Sequence, residues 1–120
     1  GCQITGMAYP YGTYNDEVVQ ILKKCKIQYA RSVVSSGAFK LQKNLLIFKP
    51  TCHHADENIW ELLEKFLKEK SEEKQLFYIW GHSYEFDVNN NWKRMEEILD
   101  RLIGHNNIFY GTNREVLLPC

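Results

Sequence analysis

The stretch Met7-Ala8-Tyr9-Pro10-Tyr11-Gly12 decides how the rest of the chain is read. An apolar lead-in, Ile4 to Tyr9, stops at proline and glycine flanked by tyrosines, the composition of a strand running into a rigid turn. The design recurs. Ile27 to Arg31, Asn44 to Lys49, Leu76 to Trp80 and Ile108 to Tyr110 are apolar runs that stop at Arg31-Ser32, Thr51 to His54, Gly81-His82 and Thr112-Asn113. Leu45-Leu46-Ile47-Phe48 is continuous enough for a strand covered on both faces.

Helical patterns separate these runs. Asn15 or Thr13 can cap a first helix whose stripe is Val18, Leu22 and Cys25, with Lys23, Lys24 and Lys26 in its last turns. Asp56 is placed to cap a second, with Ile59, Leu62, Leu63, Phe66 and Leu67 inward and Glu61–Lys65 and Glu64–Lys68 pairs outward. Glu85 to Asn91 reads as a loop. A third helix turns Trp92, Met95, Ile98, Leu99, Leu102 and Ile103 inward and stops at Gly104. Thr112-Asn113 can cap a short last helix. The alternation predicts an α/β fold with about five mainly parallel strands and three main helices. In such sheets ligands bind beyond the carboxyl ends of the strands, where the polar clusters lie. A small doubly wound sheet and part of a distorted (β/α) barrel both fit this order. A barrel of this kind closes with about seven or eight strands, so five would leave two open edges to bury against a second copy or a missing half.

The 120 residues suffice for one domain, 1–120, and with 44% hydrophobic and 13% aromatic residues they can bury a core. Fifteen basic and fifteen acidic residues cancel, which gives no footing for a nucleic-acid partner. No apolar run approaches a membrane span, and no signal peptide opens the chain. Cys2, Cys25, Cys52 and Cys120 form no C-x-x-C pair, so free thiols in a reducing, cytoplasmic setting are expected. Gly1-Cys2-Gln3 leaves no room for an element before the first strand, which predicts a chain cut from something longer.

Several motifs in order resemble the polysaccharide deacetylase family, the NodB-homology group or carbohydrate esterase family four. They are Gly6 to Asn15, Tyr29-Ala30-Arg31, Pro50-Thr51-Cys52-His53-His54 and Phe77 to Asp87, in a similarity running from Thr5 to about Glu115. The resemblance covers the family's C-terminal half. It implies a segment of a (β/α) barrel and metal-dependent hydrolysis of the N-acetyl group of an amino sugar. The family's Asp-Asp pair and His-x-x-x-His helix, which hold a divalent metal such as zinc and supply the base, are not in this sequence. The chain alone is therefore expected to hold no catalytic metal and to be inactive, with an N-acetylated saccharide as its ligand.

By the same resemblance, the backbone N–H of Tyr11 steadies the developing oxyanion, and His82 is the general acid toward the leaving amine. Tyr9 and Pro10 line the substrate groove. Many members carry an arginine two positions before this proline; Ala8 stands there, and Arg31 is the expected substitute. Adjacent histidines on an extended segment point to opposite sides, so His53 and His54 read as substrate contacts or as a helix cap rather than as one metal site. Trp80 beside them is placed to stack on a sugar ring, and Trp92 to fill the core. Two other readings stay open. One is a non-catalytic carbohydrate-binding or protein-interaction domain, the other an independent small enzyme using Cys52, His53 and His82 in a zinc or thiol site.

Overall fold

The computed structural model describes residues 1–118; Pro119 and Cys120 lie outside the described residues. The chain is mixed α/β, with five helices and short parallel strands in two small sheets among the described residues. It divides into two compact units. One comprises Gly1–Val34, Gln42–Pro50 and the segment from Phe109; the other comprises Ser35–Leu41 and Thr51–Ile108.

In the first unit, β1 (Gly6–Ala8) pairs in parallel with β2 (Tyr29–Arg31). The helix between them, α1 (Asp16–Lys24), begins at Asn15, whose side chain accepts the Val18 N–H. Asp16 and Glu17 meet its positive end, and Lys23 and Lys24 its negative end, as the macrodipole favours. Val19 and Leu22 pack with Tyr9, Ala30 and Leu46 into a buried cluster. Cys25, expected on the inner face, caps the helix and is exposed.

The run Asn44 to Lys49 is not a strand along its length. The Asn44 side chain accepts the Leu46 N–H and winds Leu45–Ile47 into a 3-10 turn. Asparagine offers the backbone this local partner in place of a ladder. Phe48 alone returns to β2, donating to Ala30 O and accepting from Ser32 N, in a parallel bridge opposite Arg31. Ile108 to Tyr110 is likewise irregular, and Phe109 and Tyr110 expose their rings. Thr112 does cap α5 (Asn113–Leu117), in a capping box with Glu115.

In the second unit, β3 (Cys52–His53) pairs in parallel with β4 (Ile79–Trp80), with His53 opposite Trp80. The expected Leu76–Trp80 strand is thus shortened. Just before it, the Thr51 hydroxyl accepts the Tyr78 N–H and donates to Ala38 O, so a side chain does the work of a ladder. The helices are α2 (Ile59–Lys68), α3 (Tyr84–Val88) and α4 (Trp92–Leu102). Ile59, Leu63, Ile98 and Cys52 form the core. Phe39, Phe66 and Phe77 pack as an aromatic trio beside it.

Three expectations change here. Asp56 caps a turn at Asn58 N rather than the first residue of α2. Trp92, Leu99 and Ile103 are exposed rather than inward, so α4 buries a narrow stripe centred on Ile98. The stretch read as the loop Glu85 to Asn91 contains α3, which at five residues is too short to show a helical period. On the outer surface, Glu64 takes both Lys68, as expected, and Arg101 of α4 at 2.6 Å. Among the described residues, no helix is long and apolar enough to cross a membrane.

Candidate functional site

The densest polar cluster forms where β3 and β4 end. His53 is the last residue of β3, and His54 is the first to leave it, entering a turn. Strand alternation therefore stops between them, and the two imidazoles lie side by side, 4.2 Å between centroids. The adjacency rule expected them on opposite sides; it fails because the strand ends one residue too soon for it. Arg94 of α4 holds the turn by donating to His54 O at 3.4 Å and Asp56 O at 2.9 Å. His54 is 2% exposed and packs against Phe86.

Glu85, in the first turn of α3, is where they converge. Its Oε2 accepts from His53 Nε2 at 3.1 Å, from His54 Nε2 at 2.6 Å and from the His82 backbone N–H at 3.0 Å. Its Oε1 faces His82 Nδ1 at 3.3 Å. The His82 N–H foremost, then the His54 and His82 side chains and the charge of His53, outweigh partial burial and hold the Glu85 carboxyl down at about 2. Burial and the neighbouring His54 push His53 below the ordinary imidazole value, and Glu85 offsets this only in part. At neutral pH, a carboxylate anion thus faces a neutral His53.

Their protons follow from their partners. The Ala55 N–H donates to His53 Nδ1 at 3.1 Å, so the His53 proton sits on Nε2, toward Glu85. His54 Nδ1 is buried without a hydrogen-bond partner, so a proton there would be an orphaned donor; it too belongs on Nε2. His82 donates from Nδ1 to the ionised Glu85, and Nε2 takes no part in that contact, on a side chain that is 54% exposed.

His53, His54 and Glu85 each offer a ligand atom within 4.8 Å of the others, close enough to consider a cation. The donor set does not fit one. Both Nε2 atoms carry the protons that reach Glu85. Moving those protons to Nδ1 would set one against the Ala55 N–H and bury the other unpaired. As they stand, these side chains form a hydrogen-bonded carboxylate cluster.

Cys52 is buried in the core, and its thiol is pushed up to about 11 by burial and then by Asp56. A thiol this buried and this far from ionising packs in the core, which speaks against the thiol form of the small-enzyme reading.

Among the residues singled out from the sequence, the second unit thus gathers His53, His54, Trp80 and His82. The Trp80 ring stands edge-on to His53 at 4.7 Å and to His82 at 6.0 Å. Trp92, expected in the core, instead donates to Asp87 Oδ1 at 2.6 Å. Glu85, near His82 in sequence but beyond the strand end, is the centre of the cluster. Its signal was the spacing His82-Ser83-Tyr84-Glu85, in which an acidic side chain reaches back to the N–H three residues earlier, as in a capping box.

Tyr9, Pro10, Tyr11 and Arg31 belong to the first unit. Tyr9 is 4% exposed, stacks on Tyr14, and donates its hydroxyl to Leu46 O at 2.6 Å. Burial and then Tyr14 raise its pKa. Its N–H donates to Arg31 O, which ties the end of β1 to the end of β2. The Pro10–Gly12 turn closes through Gly12 N to Tyr9 O and Thr13 N to Pro10 O; the Tyr11 N–H takes part in neither bond. Tyr11 is 96% exposed and sits at φ 55°, ψ 13°, a left-handed conformation that costs a non-glycine residue about 1–2 kcal/mol. Arg31 donates to Ser32 O at 3.1 Å.

No family model, no curated protein and no solved structure matches this chain.

Proposed function

We propose that the chain is a segment of a polysaccharide deacetylase-like barrel enzyme, one that hydrolyses the N-acetyl group of an amino sugar. The observation that carries this reading is His82: an exposed imidazole at the end of a parallel strand, held at Nδ1 by a carboxylate and open at Nε2. A histidine tied in this way presents one nitrogen to the reacting group. Its imidazolium, once formed, is stabilised by the ionised Glu85.

Water adds its oxygen to the acetamide carbon, and His82, protonated on Nε2 from solvent, gives that proton to the amine nitrogen as the C–N bond breaks, so that acetate and the free amine leave. Nδ1–H stays on Glu85 throughout. In the first unit, the Tyr11 N–H is unused by its own turn; a donor of this kind is worth about 3–4 kcal/mol of barrier when aimed at developing charge. A divalent metal in the family polarises the carbonyl and activates water; its ligands are not among this chain's residues, and no step here is routed through it.

The test is an NMR titration of this chain with a chitooligosaccharide and with its fully deacetylated counterpart. Resonances of Trp80 and His82 should move with the acetylated sugar and much less with the other. Equal responses, or none, would sink the reading. Binding that is unchanged in His82→Ala and lost in Trp80→Ala would instead favour a non-catalytic carbohydrate-binding domain.

A further inference from the structure

We propose that His53 and His54 are positioning residues: they act through Glu85 to hold His82 in one tautomer, with Nδ1 protonated and Nε2 free. The inference rests on the reading of His82 as the proton-transfer group, but what it predicts can be measured without substrate.

Among the described residues, Glu85 links the paired histidines to His82 through its two carboxylate oxygens. Its Oε2 takes both Nε2–H groups and the His82 backbone N–H; its Oε1 remains for the His82 ring. With one oxygen occupied three times over, the carboxylate cannot rotate without breaking several bonds together. A carboxylate on the first turn of a five-residue helix would otherwise be free to choose its rotamer. His53 and His54 therefore convert a local contact, three residues apart in sequence, into a fixed direction for Nε2.

The positioning histidines have no freedom of their own. His53 is pinned by Ala55 N–H and Trp80, and His54 by Phe86 and the Arg94-braced turn. Gly81 contributes by what it lacks. A Cβ there would stand 2.1 Å from His54 Cδ2, so only glycine lets β4 turn toward His82 past the buried ring. Neither His53 nor His54 is asked to touch substrate. The sequence alone suggests substrate contacts or a helix cap for this pair.

The experiment is long-range proton–nitrogen NMR on nitrogen-15-labelled histidine at about pH 8, where ordinary imidazoles are neutral. Wild type should show His53 and His54 protonated on Nε2 and His82 on Nδ1. In His53→Leu with His54→Leu, Glu85 is released, and the His82 tautomer ratio should move about tenfold away from Nδ1–H, the scale of a lost charge-assisted hydrogen bond. His54→Gln, whose amide can still donate to Oε2, should keep the wild-type ratio. If the buried His54→Leu change prevents folding, His53→Leu alone serves, because that side chain is 25% exposed; it should move the ratio several-fold. A folded variant lacking these donors with His82 unmoved would overturn the proposal. So would one equivalent of zinc stripping both Nε2 protons in wild type. Failure of the saccharide titration would leave this result standing, so the two readings fail separately.

Discussion

The turn at Pro10–Gly12 and the cluster at His53, His54 and Glu85 start from the same sequence device and end differently. In each, an apolar strand stops at small or polar residues. At the first, the specificity lies in the backbone: a tyrosine forced to φ 55° with its ring in water and its N–H outside the turn's own bonds. At the second, the backbone merely delivers side chains, and one carboxylate orders three imidazoles. A strained turn stores its geometry within a few consecutive residues. A side-chain cluster borrows its geometry from elements far apart in sequence. The first should therefore be insensitive to pH and to distant substitutions, and the second sensitive to both.

The largest expected break in that contrast is Gly81→Ala. The added Cβ meets the ring of His54 rather than a flexible side-chain end, and the backbone there has φ 158°. His54 is buried and braced, so it cannot step aside cheaply. A loss of about 3 kcal/mol is expected, confined to the second unit, and thermal or urea unfolding would measure it. Hydrogen exchange should show faster exchange along β3 and β4, with β1 and β2 unchanged. Equal loosening of both pairs would break the comparison.

Acid should separate the regions next. Glu85 titrates at about 2 in the folded chain, below the ordinary carboxylate value. Its contribution is then fully present above that ordinary value and lost as pH falls toward 2. His53 has the same sign by a different route: its lowered folded pKa makes protonation favour the unfolded chain, so loss begins once pH drops below the ordinary imidazole value. His54, His82 and Glu85 are the groups that face His53. Fluorescence of Trp80 and Trp92 against pH would follow the acid transition. Glu85→Gln should remove the lowest-pH part of the loss. An unchanged acid transition in that variant would show that some other group governs it.

The sequence carried the helices better than the strands, and the strand ends better than their bodies. Asn15, Thr112 and the amphipathic stripes act within a few residues, so their signals are local. The run at Leu45–Ile47 was misread because buried apolar residues look alike in a strand and in a 3-10 turn, and the choice fell to the Asn44 side chain. Trp92 looked like core because it sits on the helical stripe, but a nearby acceptor on Asp87 gave its N–H a reason to stay at the surface. His53, His54 and His82 were visible as chemistry-bearing residues. Their convergence was not, because it needs a parallel register pairing His53 with Trp80 and a strand that ends between two histidines. Glu85 was hidden in a stretch too short to read as a helix.

Tyr9→Phe probes the first unit by a smaller step. The ring still fills its place against Tyr14, while Leu46 O loses its buried donor. The expected cost is about 1–2 kcal/mol. Because no titrating group of the second cluster is touched, the acid transition of Glu85 should not move. A shift of that transition in Tyr9→Phe would contradict the independence of the two regions.

The smallest effect should have the opposite sign. Tyr11→Gly removes a side chain that is 96% exposed, so almost no packing is lost. Relief of the left-handed conformation gives back about 1–2 kcal/mol. Against it stands the extra freedom of glycine in the unfolded chain, about 0.5–1 kcal/mol. The difference leaves the variant about 0.5 kcal/mol more stable, a rise of a few degrees in Tm for a chain of this size. A gain in stability would show that the left-handed conformation of Tyr11 costs the fold more than its side chain returns. If Tyr11→Gly proves stabilising and also weakens binding of the chitooligosaccharide, the strain belongs to the function. If it is destabilising, the turn is held by contacts of the Tyr11 ring, and the division between a backbone-built and a side-chain-built site fails.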